Sequence, residues 1–172
     1  MGYGKPTPKD EEMMALALNE ARLALADGKA GVGALLLWRD EILALTHNMF
    51  FETRDMTDHA EMAALRKAAR RLSAMSDQER AEITIYVTLQ PCLMCLSAIS
   101  FLGIKRAVYS ALNEDGQERV EIVHGLTIEQ INNAFVRGPI ELVPGVLREE
   151  GIRILQLMGK AATQPAPKGA ER

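Results

Sequence analysis

Apolar and polar positions follow two rhythms along this chain. Met14, Leu18, Ala21 and Leu25 recur at the three- and four-residue intervals of a helical face. Thr7-Pro8-Lys9-Asp10 stands before them as a helix start, with Thr as N-cap and Pro at the first helical position. Gly28 supplies the stop. Val32–Trp38 (VGALLLW) is a continuous apolar run and reads as a buried strand. Arg39-Asp40-Glu41 turns the chain, and ILALTH returns it as a second strand, which makes a hairpin. Asn48–Thr57 reads as a loop. Asp58 then caps a long helix, HAEMAALRKAARRLSAM.

The alternation continues downstream. Ile83–Thr88 is rich in β-branched residues and predicts a third strand. Pro91 opens a helix that runs to about Leu102, where Gly103 stops it. KRAVYSAL predicts a fourth strand, Thr127–Phe135 a short helix, PIELVP a fifth strand or extended segment, and VLREEGIRILQLM a last amphipathic helix. The order α-β-β-α-β-α-β-α-(β)-α predicts an α/β fold. Its sheet is covered on both faces and partly parallel, and its first two strands form an antiparallel pair. Residues 1–160 are expected as one domain, and 161–172, rich in Ala, Pro and charge, as a disordered tail.

Composition narrows the class. The chain has 172 residues, 48% hydrophobic and 25% charged, the balance of an ordinary globular domain. No run approaches the ~18 apolar residues of a membrane span, and the N-terminus lacks the apolar run of a secretory signal. A cytoplasmic protein is therefore expected. The net charge of −3 weighs against a protein built mainly to grip a phosphate backbone, though a local basic patch is compatible with it. Arg66, Lys67, Arg70 and Arg71 form one such cluster; a solvated helix face is its plainer reading.

The chain has two cysteines, Cys92 and Cys95, and three histidines, His47, His59 and His124. Two Cys three residues apart are not a disulfide framework. A redox CxxC and a metal site are the alternatives. At i, i+3 both thiols share one helical face, and in a first turn the helix dipole favours thiolate over thiol. With the imidazole of His59 they form a set of two sulfurs and one nitrogen that suits Zn²⁺. A closed structural site needs a fourth ligand, and His47 or His124 is available for one. A three-ligand site instead leaves a position for water, whose pKa zinc lowers from about 15.7 towards about 7. Glu61 then has a role as a proton carrier beside that water. Residues two apart diverge on a regular helix, so His59 and Glu61 can face one metal only if the helix begins at His59.

H-x-E followed by P-C-x-x-C is the signature of zinc-dependent nucleobase deaminases. At these residues the chain resembles the cytidine/deoxycytidylate deaminase superfamily, and within it the branch of cytosine deaminase, guanine deaminase and the tRNA adenosine deaminases. The similarity runs from about Met13 to Tyr109. It is carried by Val32-Gly33-Ala34, His47-Asn48-Met49, Thr57–Glu61, Val87–Cys95 and Ala98-Ile99. Gly31, Asp55-Met56-Thr57 and Gln90 depart from the usual family residues, and none of them touches the proposed ligands.

The resemblance implies a three-layer α-β-α sandwich with a mixed five-stranded sheet. It implies His59, Cys92 and Cys95 as zinc ligands, Glu61 as catalytic proton shuttle, Asn48 as a substrate contact, and a homodimer. Phe50 and Phe51 in the following loop, and Asn113–Arg119 (including Asn113 and Asp115), are further candidates for substrate selection. The expected activity is hydrolytic deamination of a free nucleobase of cytosine or guanine type, or of a related aminated heterocycle. A tRNA adenosine deaminase is the alternative, and a non-catalytic zinc-stabilised protein-binding module is a third reading.

Overall fold

The computed structural model describes residues 3–116 and 123–162. The chain order is α1 (Pro8–Ala26), β1 (Gly33–Trp38), β2 (Glu41–His47), α2 (Phe50–Thr53), α3 (Ala60–Lys67), α4 (Ala69–Ala74), α5 (Asp77–Ala81), β3 (Ile83–Leu89), α6 (Leu93–Phe101), β4 (Arg106–Ala111), a 3-10 turn at Asn113–Asp115, α7 (Ile128–Asn133), β5 (Glu141–Val143) and α8 (Arg148–Ala162). The five strands form one sheet in the order β2-β1-β3-β4-β5. β1 pairs antiparallel with β2 and with β3, while β3–β4 and β4–β5 are parallel. This is the mixed sheet with an antiparallel leading hairpin that the sequence predicts.

Side-chain alternation splits the sheet into two faces. Leu35, Leu37, Tyr86, Val108 and Val143 pack with Met14, Leu18 and Ile154, and so against α1 and α8. Ala34, Leu36, Ile83, Ile85, Val87 and Tyr109 face the other way, against Ala64, Leu65, Leu72, Leu96 and Ile99 of α3, α4 and α6. The period of two along each strand thus produces two separate cores in a three-layer stack.

Capping chemistry sets the helix boundaries. Thr7 caps α1: its side chain accepts from the N–H of Asp10, and the Asp10 carboxylate accepts in return from the N–H of Thr7. Gly28, at φ 76°, makes the left-handed turn beyond the end of α1 that a side chain would resist.

Several local expectations change. Residues 48–57 are not all loop, because α2 forms one helical turn there. The long helix expected after Asp58 breaks at Ala68 into α3 and α4. It is followed by α5, whose capping box of Ser76 and Glu79 is written in the sequence as S-D-Q-E. The N-cap of α3 is His59 rather than Asp58, and the N-cap of α6 is Cys92, so Pro91 lies outside that helix. Ala161 and Ala162, placed in the expected tail, belong to α8, and residues 163–172 lie outside the described residues. No described helix is long and apolar enough to cross a membrane.

Candidate metal centre and active site

β1 runs against both of its neighbours, so its start meets the ends of β2 and β3. Gly33 pairs with His47, and the Gly33 N–H donates to the Thr88 hydroxyl at 3.0 Å. Chain leaving β2 and β3 at this edge enters α3 and α6, and both helix starts carry the chemistry. His59 has φ −59° and ψ 159°, extended rather than helical. That bend lets His59 and the first-turn residue Glu61 point to the same place, as their i, i+2 spacing requires. Cys92, at φ −73° and ψ 169°, caps α6 in the same way, and Cys95 lies in its first turn.

The ligand atoms of His59, Cys92 and Cys95 lie within 4.8 Å of one another. The Nδ1 atom of His59 is 3.6 Å from the sulfur of Cys92 and 3.6 Å from that of Cys95. Zn–S bonds of about 2.3 Å and Zn–N bonds of about 2.05 Å at a tetrahedral angle place sulfur and nitrogen about 3.6 Å apart. The triad therefore fits a tetrahedral zinc ion. Among the described residues no fourth protein ligand joins it. Both ring nitrogens of His47 face carboxylates, Glu20 and Glu52, and His124 is exposed on another loop.

The electrostatics of the triad point to the same use. The Cys92 thiol is pushed well below its ordinary range, chiefly because Cys95 donates to its sulfur, with His59 adding to the effect. Cys95 is raised as the donor in that pair, and burial raises it further. His59 is raised by its contact with Cys92. A lowered Cys92 thiol favours thiolate, the form in which cysteine binds a divalent cation. Glu61 is buried, and burial pushes its carboxyl up to about 7. A group poised there can both take and give a proton near neutral pH. Asp58 is also buried, but its carboxylate is held by Arg66.

Two cavities flank the triad. The first, about 420 Å³, reaches His59 and is walled by Asn48, Phe50, Phe51 and Met56, with Lys29 and Met158 from distant parts of the chain. The second, about 340 Å³, reaches Cys92 and is bordered by Gln90, Leu93, Asn113 and Thr127. Asn48 lines the first cavity and also holds a local turn, its side-chain oxygen accepting from the N–H of Phe50 at 3.0 Å. The rings of Phe50 and Phe51 tilt against each other at 5.1 Å, and Phe51 is 57% exposed at the cavity mouth. Asn113 sits on the Cys92 side, with its N–H donating to the Gln90 side chain at 3.2 Å.

Other candidates are placed elsewhere. Asp115 lines neither of these cavities. Its carboxylate accepts from Arg148 at 2.7 and 2.9 Å and from the N–H of Leu112, which closes the 3-10 turn and ties it to α8. Gln117–Arg119, the rest of that candidate segment, lie outside the described residues. In the basic cluster Arg66 pairs with Asp58, Lys67 donates to the Leu45 carbonyl, and Arg71 pairs with Glu41 and lies over the Trp38 ring. Lys67 and Arg71 thus tie α3 and α4 to the hairpin, and Arg66 ties α3 to the segment that precedes it. Lys29, Met56, Gln90 and Met158 escaped the sequence reading as wall residues, because only tertiary packing brings them to the site.

Residues 7–111 match the cytidine and deoxycytidylate deaminase zinc-binding region. The chain belongs to that family. Zinc is accordingly its metal, and hydrolytic deamination its chemistry. Among curated proteins it is similar to a tRNA-specific adenosine deaminase of Aquifex aeolicus, 39% identical over 60% of this chain and 67% of the relative. It is also similar to the tRNA-specific adenosine deaminase of Bacillus subtilis, 33% identical over 83% of each chain, and to tRNA-specific adenosine deaminase 2 of Danio rerio, 33% identical over 94% of this chain and 77% of that one. A solved structure from a study of A-to-I editing by tRNA:A34 deaminases superposes with a TM-score of 0.68 at 32% identity, covering 84% of this chain and 99% of the other. The guanine deaminase of Nitrosomonas europaea superposes with a TM-score of 0.73 at 22% identity, covering 90% and 85%, and shows a shared fold.

Proposed function

We propose that this deaminase acts on adenosine within tRNA and converts it to inosine with release of ammonia. The supporting observation is the set of relatives above 30% identity, which are named as tRNA adenosine deaminases and align across most of this chain. The expected free-nucleobase substrate finds no comparable support, since the guanine deaminase of Nitrosomonas europaea shares the fold at only 22% identity. The cavity suits a base turned out of a polynucleotide. Its mouth carries exposed Phe51 and Met56, apolar surface on which a base can lie.

Zinc held by His59, Cys92 and Cys95 supplies a Lewis acid that makes water nucleophilic near neutral pH. The chain's own residues do the rest. Glu61 takes a proton from the attacking water and delivers it to the ring nitrogen beside the amine-bearing carbon. It then carries the water's second proton to the exocyclic amine, which leaves as ammonia while the ring keeps the oxygen. The backbone N–H groups at the start of α6 offer donors to the developing negative oxygen. Asn48, on the cavity wall, orients the nucleoside. Phe50 and Phe51 bound its base.

The test is a mass-spectrometric panel: a tRNA anticodon stem-loop carrying adenosine at its wobble position, free adenosine, adenine, cytosine and guanine. The stem-loop gains the mass of one inosine conversion while the free compounds stay unchanged. Turnover of cytosine or guanine with an untouched stem-loop overturns the substrate assignment.

A further inference from the structure

The rim of the His59 cavity has no core to rest on. α2 is a single helical turn, and none of its residues is buried. A four-residue helix cannot hold itself in water, so polar contacts must hold it. They converge on Glu52. Its Oε1 lies 2.8 Å from Nε2 of His47 and 3.0 Å from Nζ of Lys29. The far side of the same imidazole meets α1: Nδ1 of His47 is 2.8 Å from Oε1 of Glu20. Each ring nitrogen thus lies within hydrogen-bond distance of a carboxylate oxygen, one on either side of the imidazole.

His47 therefore spans from a 19-residue helix with a buried face to a one-turn rim. Its own place is fixed, because it ends β2 opposite Gly33 and precedes Asn48. The Asn48 N–H continues the pairing to the Val32 carbonyl at 2.9 Å, and the Met49 N–H reaches the Asp58 carbonyl at 2.9 Å. Those two bonds hold the base of the rim, while Phe50–Thr53 hangs on Glu52. The Glu52 carboxyl is held below the usual carboxylate range, chiefly by His47 and with help from Lys29.

We infer that His47 is a positioning residue. Through Glu20 and Glu52 it fixes the Asn48–Phe51 rim over the metal triad, and so sets substrate affinity rather than the rate of the chemical step. The affinity half of this rests on the function proposed above; the rim half does not.

Two full-length, zinc-loaded variants test it, His47→Ala and Glu52→Gln. Glu52 is partly exposed, so the second variant keeps the test alive if the first does not fold. Hydrogen exchange read by mass spectrometry should quicken about tenfold for the amides of Phe50–Arg54 and stay unchanged in α3 and β3. On the anticodon stem-loop, KM should rise about tenfold with kcat within about twofold, and the double variant should match the single ones rather than multiply them. Unchanged exchange at the rim in a folded variant overturns the inference, whatever the substrate. Quickened exchange with a fallen kcat and unmoved KM overturns the affinity half. Quickened exchange in a protein that leaves the stem-loop untouched even as wild type upholds the rim half and removes the substrate reading instead.

Discussion

Arg106 closes on Asp10 with both arms of its guanidinium, at 2.6 and 2.9 Å. The pair links the start of β4, the middle strand of the parallel half of the sheet, to the start of α1, which lies 96 residues earlier in the chain. Tyr86 donates to the same carboxylate at 3.0 Å, and the Thr7 N–H and hydroxyl reach it at 2.8 Å each. Asp10 is 1% exposed, so every lone pair it offers is used inside the protein.

This pair has a pH signature. Burial pushes the Asp10 carboxyl up, but Arg106 and Thr7 together overcome that and lower it to about 2. A carboxylate depressed by folding adds stability above its unfolded value of about 3.9, and that stability is lost as pH falls through the folded value. Asp10→Asn should cost about 3 kcal/mol at neutral pH, because it leaves Arg106 without its charge partner. Urea midpoints of wild type and variant should stay apart above about pH 4 and converge towards pH 2. A gap that persists unchanged at the acid end would refute the linkage.

Gly33 marks where α1 touches the sheet. A Cβ there would overlap the carbonyl oxygen of Ala17 and lie 3.2 Å from the Ala21 nitrogen. Gly33→Ala should push α1 off β1 and lower stability by about 1–3 kcal/mol, with Tm by calorimetry as the measure. An unaltered Tm would mean that the close approach is not maintained in solution. The Gly33 N–H also binds Thr88 beside the site, so zinc affinity should weaken in the same variant.

Much of this molecule is written locally. The capping box at Thr7, the glycine stop at Gly28 and the β-branched run at Ile83–Thr88 each act within a few residues, and each element stands where its own sequence places it. The triad was legible for a related reason: the chain has only two cysteines and three histidines, and two helix starts present His59, Cys92 and Cys95. What was not legible depends on partners far along the chain. α2 is a single turn with no buried residue, and its Glu52 is met by His47 and Lys29, one of them 23 residues before it in the chain. The break at Ala68 falls in a run without Gly or Pro, and nothing local marks it. Asp115 read as a loop acid near the site, yet Arg148, 33 residues on, takes it into the fold. α5 is the exception, since its capping box stood in the sequence unread.

The three-residue ligand set predicts how zinc is lost. Cys95 is fully buried with its sulfur turned to the triad, so Cys95→Ala removes a ligand without exposing the site to solvent. Zinc content by plasma emission should fall from about one equivalent per chain to about a tenth or less, and deaminase activity with it. Full zinc content in that variant would place the metal elsewhere.

The most direct test of the central claim is Glu61→Gln. Glutamine keeps the size and most contacts of the buried side chain but can no longer carry a proton. The zinc-loaded variant should bind the anticodon stem-loop as wild type does while inosine formation slows about a thousandfold. A zinc-loaded Glu61→Gln protein that forms inosine within about tenfold of the wild-type rate would contradict the account.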